Sequence, residues 1–94
     1  SSDALQFAPD ETTPSLLDGE VFVTGVNTKA TAITNFTDAE AGIVYTIYGN
    51  GSENASTIAS GGNFVLTEAM TLSEGKFIKL AKAADGKFYE VARG

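Results

Sequence analysis

The sequence predicts an all-β domain built from short strands and tight turns. Three observations predict it. Runs rich in Val, Ile, Thr, Phe and Tyr recur every few residues between clusters of Gly, Asn, Asp and Ser, which is strand punctuated by turn. Long apolar patterns with helical spacing are missing. The segment KFIKLAKAADGKFYEVA near the C-terminus reads as two alternating runs around Asp85-Gly86, a hairpin signal. The 94-residue length points to one domain with a modest core.

Residues 1–15 are polar and carry Pro9 and Pro14. Proline removes a backbone donor and extends the residue before it, so this segment reads as an extended arm or linker before a β-rich domain at 16–94. Leu5 and Phe7 share one extended face that could lie on another chain. Asp18-Gly19 is a turn, and residues 20–26 form the first strand. Residues 30–36 follow as a strand, through their Thr and Ile content. Residues 38–42 read as a turn or a single helical turn closed by Gly42.

Residues 43–48 make the best strand in the chain. Ile43, Tyr45 and Ile47 share one face, and Val44, Thr46 and Tyr48 share the other. Both faces carry apolar or aromatic groups, which predicts burial on both sides or a place at an interface. Gly49, Asn50 and Gly51 then turn the chain. Short strands follow at 56–59, 64–67 and 70–72. In 76–82, Ile78 and Leu80 point one way and Phe77, Lys79 and Ala81 the other; residues 88–92 return antiparallel. A structural repeat is also visible. Ile33 and Ile58 lie in similar runs 25 residues apart, and each run precedes an Asn-Phe pair, at Asn35-Phe36 and Asn63-Phe64. That spacing fits stacked or intertwined β units as well as a small sandwich.

Composition excludes several functions. The chain has no Cys and no His, which removes disulfides, the common zinc sites and the usual nucleophile–base pairs. The carboxylate pairs Asp10-Glu11, Asp18/Glu20 and Asp38/Glu40 lie in turns and read as solvated acids. No spaced acidic loop supports calcium, and no phosphate-loop motif is present. No catalytic residue, cofactor or metal is therefore expected. The net charge of −6 argues against nucleic acid. No apolar run is long enough to span a membrane. No signal peptide is visible, and the start at Ser1-Ser2 reads as a fragment or a processed product. The charge is unevenly spread: residues 1–75 sum to −9 and residues 76–94 to +3. The basic end could meet an acidic surface on a neighbouring copy.

A resemblance adds to this reading. It is carried by Ile33, Thr34, Asn35, Phe36 and Thr37, then Gly42, Tyr45, Thr46 and Ile47, and the Gly49 to Gly51 turn. Thr57, Ile58 and Ala59, then Gly62, Asn63 and Phe64, continue it, and Lys87, Phe88, Tyr89, Glu90 and Val91 close it. In these residues the chain resembles the β-rich fibre and spike domains of tailed bacteriophages, especially the head-fibre and tail-fibre proteins of crAss-like phages that infect Bacteroidales. The resemblance implies a homotrimer with an intertwined β-prism or β-helix core, a structural role on the virion beside capsid or tail proteins, and attachment to host-surface polysaccharide. The chain has no Trp; Phe77 and Phe88 stand where the aromatic anchor of that pattern is often Trp.

The expected oligomer-interface residues are Ile43, Tyr45, Ile47, Tyr48, Phe64 and Phe88. Tyr48 and Tyr89 are the expected glycan contacts, because a tyrosine ring can stack on a sugar while its hydroxyl stays wet. The alternative is a small secreted or cell-surface carbohydrate-binding β-sandwich.

Overall fold

A computed structural model describes residues 3–94. Among them there are nine strands and no helix. These are β1 (Leu5–Gln6), β2 (Val21–Val23), β3 (Thr31–Ala32), β4 (Val44–Tyr48), β5 (Ser56–Ile58), β6 (Phe64–Val65), β7 (Met70–Leu72), β8 (Phe77–Lys82) and β9 (Phe88–Arg93). They form a six-stranded sheet in the order β1-β2-β4-β8-β9-β6 and a three-stranded sheet β3-β5-β7. Both sheets mix parallel and antiparallel pairs.

The 25-residue repeat has a direct structural meaning. Val21, Phe22 and Val23 pair in parallel with Thr46, Ile47 and Tyr48. Thr31 and Ala32 pair in parallel with Ser56 and Thr57. Every one of these pairs is offset by 25 residues, in two different sheets. Two successive passes of the chain therefore lie on one another in register. β7 and β8 then join β5 and β4 in antiparallel pairing. β8 and β9 form the expected hairpin, with Gly86 at φ 89° and the Ala83 amide donating to the Lys87 carbonyl.

The N-terminal segment differs from a free arm. β1 pairs in parallel with β2, and the Phe7 amide donates to the Val23 carbonyl. Farther on, the Thr34 amide donates to the Thr12 carbonyl, and the Leu16 amide to the Thr37 carbonyl. Phe7 is buried in this chain's own core, while Leu5 stays 40% exposed. The physical reason is aromatic packing. The Phe7 ring stacks 5.2 Å from Phe22 and lies 5.9 Å from Phe36. Phe36 in turn meets Phe64 at 5.7 Å and Phe88 at 5.4 Å, both edge-on. Such pairs add to the burial of their apolar area.

Asn27 ties the passes together in polar fashion. Its Oδ1 accepts the Asp10 amide at 2.8 Å, while its Nδ2 donates to the Asn54 carbonyl and the Ser56 hydroxyl, both at 2.9 Å. The side chain is buried, and these bonds meet the requirement that a buried amide be satisfied. Segments around positions 10, 27 and 55 are thus joined by one residue.

Candidate interaction surface

Residues opposite one another in a ladder share a sheet face. On the inner face of the large sheet, Phe22, Tyr45, Ile47, Ile78, Leu80 and Phe88 are buried. The outer face follows from the registers. One row is Val21, Thr46, Lys79 and Ala92; a second is Val23, Tyr48 and Phe77; a third is Val44, Ala81, Tyr89 and Val65. Val21, Val44, Val65, Tyr48 and Tyr89 are exposed large apolar groups on this face, with Tyr48 at 39% and Val44 at 41%. The β8–β9 ladder shifts register after Lys79, leaving Val91 unpaired and 58% exposed beside them. Such a bulge kinks a strand and strengthens its twist. The exposed apolar groups thus flank a central row in which Thr46 is buried and Lys79 half-buried.

Lys79 is the one charged side chain in these rows. Among the described residues no hydrogen bond or ion pair engages its ammonium. Tyr48 packs on Phe77 with ring centres 5.4 Å apart. Tyr89 donates its hydroxyl to Asp85 at 2.6 Å, which raises the tyrosine pKa and lowers that of Asp85.

Beside this face, adjoining it at Val21, lies an acidic groove of about 560 Å³. Leu17, Val21 and Ile43 supply apolar surface, and Asp3, Asp18, Glu20, Asp38 and Glu40 supply carboxylates. Leu17 is 59% exposed. Asp18 and Asp38 sit at positive φ, 66° and 62°, a conformation that Asp tolerates better than most residues. Asp38 accepts from the hydroxyls of Ser15 and Thr37. Among the described residues no hydrogen bond or ion pair engages the carboxylates of Glu20 and Glu40, and no three acidic side chains converge closely enough to hold a metal ion.

The residues expected at an oligomer interface separate into two groups. Tyr45, Ile47, Phe64 and Phe88 are buried inside the single chain. They share one core cluster with Phe7, Leu16, Ile58, Met70 and Leu72, which leaves their side chains little surface for a neighbour; Tyr45 borders the groove. Tyr45 still uses its hydroxyl, which accepts the Glu40 amide at 2.8 Å. Ile43 is half-buried in the groove wall, and Tyr48 lies on the open face. Strand β4 is thus covered on the Tyr45/Ile47 side and open at Val44 and Tyr48, where sequence alone allowed burial on both. The expected glycan residues Tyr48 and Tyr89 are both on the open face, but about 16 Å apart from their strand positions. Val21, Val65 and the solitary Lys79 are surface features that sequence reasoning did not single out. The alternation of Phe77, Lys79 and Ala81 was the available signal for the last of them.

Comparison of the chain with protein-family models, curated proteins and solved structures finds no match.

Proposed function

We propose that this chain is a structural, non-catalytic domain of a tailed-phage fibre, on the head or the tail of the virion, that assembles as a homotrimer and serves attachment to the host surface. The observation that carries the assembly reading is the open outer face of the six-stranded sheet, with Val21, Val44, Tyr48, Val65 and Tyr89 uncovered. The phage assignment rests on the resemblance at residues 33–37, 42, 45–47, 49–51, 57–59, 62–64 and 87–91. Face and resemblance support each other: fibre domains bury in the trimer what one chain leaves open. For the carbohydrate-binding alternative, Tyr48 and Tyr89 are too far apart to sandwich one sugar ring. The Tyr89 hydroxyl is also already engaged by Asp85.

Light scattering coupled to size exclusion tests the proposal. The expected mass is three times the 9.7 kDa of the chain. A single-chain mass at micromolar concentration overturns it.

A further inference from the structure

We infer that the open sheet face of one copy docks on the acidic groove of the next, so that the trimer closes through unlike surfaces and Lys79 is the charge that sets the pairing. This rests on the assembly reading above and names the contact it would use. The occupant of each surface is a second copy of this chain.

Charge decides between the possible contacts. The open face carries apolar side chains around one unpaired cation, Lys79. Two such faces packed about a twofold axis through their centres, or three turned inward about a threefold, bring copies of Lys79 together. Like charges meeting in an apolar contact cost several kcal/mol. The groove beside Val21 has the opposite character. It offers apolar surface at Leu17 and Ile43, with the unengaged carboxylates of Glu20 and Glu40 around it. An apolar face with a cation and an apolar groove with carboxylates are complementary, and both belong to the same chain.

The test uses the full chain and three variants: Lys79→Glu, the groove pair Glu20→Lys with Glu40→Lys, and all three substitutions combined. All these side chains lie at the surface or half-exposed, and circular dichroism checks that each variant folds. Sedimentation equilibrium reads the association constants. Lys79→Glu and the groove pair should each weaken association by roughly a hundredfold, and the combined variant should recover at least a tenth of the wild-type constant. Added salt should weaken the wild type. If the wild type is a trimer and Lys79→Glu associates equally well, this docking is wrong while the assembly reading stands. A combined variant no better than either parent likewise overturns the docking alone. A wild type that is monomeric overturns both.

Discussion

Replacing Gly49 with alanine should destabilise the domain far more than the loss of one hydrogen atom suggests. Gly49 follows β4 directly, and its amide donates to the Lys76 carbonyl at 2.9 Å. A Cβ at this position would lie 2.1 Å from the Ser73 oxygen, 2.3 Å from the Leu72 oxygen and 2.6 Å from the Leu72 carbonyl carbon. Close carbon–oxygen contacts between neighbouring strands are about 3.3 Å, so the segment after β7 must retreat by about 1 Å. The obstacles are backbone atoms, which cannot rotate away as a side chain can. Retreat also moves the turn that presents Lys76, because the Lys76 amide donates to Ser73. Overpacking costs about 1–3 kcal/mol, and a backbone clash belongs at the upper end. At roughly 4–8 °C per kcal/mol for a domain of this size, the melting temperature should fall by roughly 12–24 °C. Gly19→Ala is the matched control. There the nearest atom is the Leu5 Cδ1 at 3.0 Å, the far end of a flexible side chain, and restricting the unfolded chain offsets the small repacking cost. Thermal unfolding followed by circular dichroism reads both variants. Equal melting temperatures for Gly49→Ala and Gly19→Ala would refute the reasoning.

Two further perturbations address the polar ties. Asn27→Ala removes the partner of the Asp10 amide, the Asn54 carbonyl and the Ser56 hydroxyl; at about 1 kcal/mol for each bond, urea denaturation should show a loss of about 3 kcal/mol, and hydrogen exchange at the Asp10 amide should accelerate. Wild-type exchange at that amide would count against the bond. Glu90 accepts from Arg93 and from the amide and hydroxyl of Thr67, and the Arg93 guanidinium is the main cause of its pKa falling from 4.5 to about 2. A carboxylate with a depressed folded pKa stabilises fully above its unfolded pKa and loses that contribution as pH drops through the folded value. Wild-type stability from this group should therefore hold above pH 4.5 and drain between 4.5 and about 2. Glu90→Gln should cost about 2 kcal/mol at neutral pH and flatten the acid limb of the stability curve. An unchanged acid limb would show that Glu90 is not held by Arg93 in solution.

The strands of this protein were legible because alternation is local. Residues 70–72 and 76–82 read directly as β7 and β8 within a residue, and Asp85-Gly86 named the hairpin turn, since positive φ at Gly86 is a property of that residue and its neighbours. The spacing of Ile33 and Ile58 was visible as well. What it meant was not, because a repeat does not say whether its copies pair with each other or with something else. Several of the expected interface residues illustrate the same limit. Tyr45 and Ile47 have the alternation of a buried face and Val44 and Tyr48 the composition of one, so the sequence marked both sides of β4 as apolar without ranking them.

Tertiary structure made that ranking. In the folded chain Tyr45 and Ile47 join one core cluster with Phe7, Leu16, Ile58, Met70 and Leu72, while Val44 and Tyr48 stay open. Phe7 joins the core for the same reason: its ring reaches Phe22 and Phe36, which lie 15 and 29 residues away in the chain. Local propensity determines that a segment is extended and which residues alternate, because those depend on a few neighbouring dihedrals and side chains. Which face is covered depends on contacts between distant segments, which no local pattern encodes. The sequence by itself therefore determined an all-β chain with its turns and its hairpin. Only the packing of distant segments decided that one apolar face is core and the other, with Lys79 at its centre, is surface.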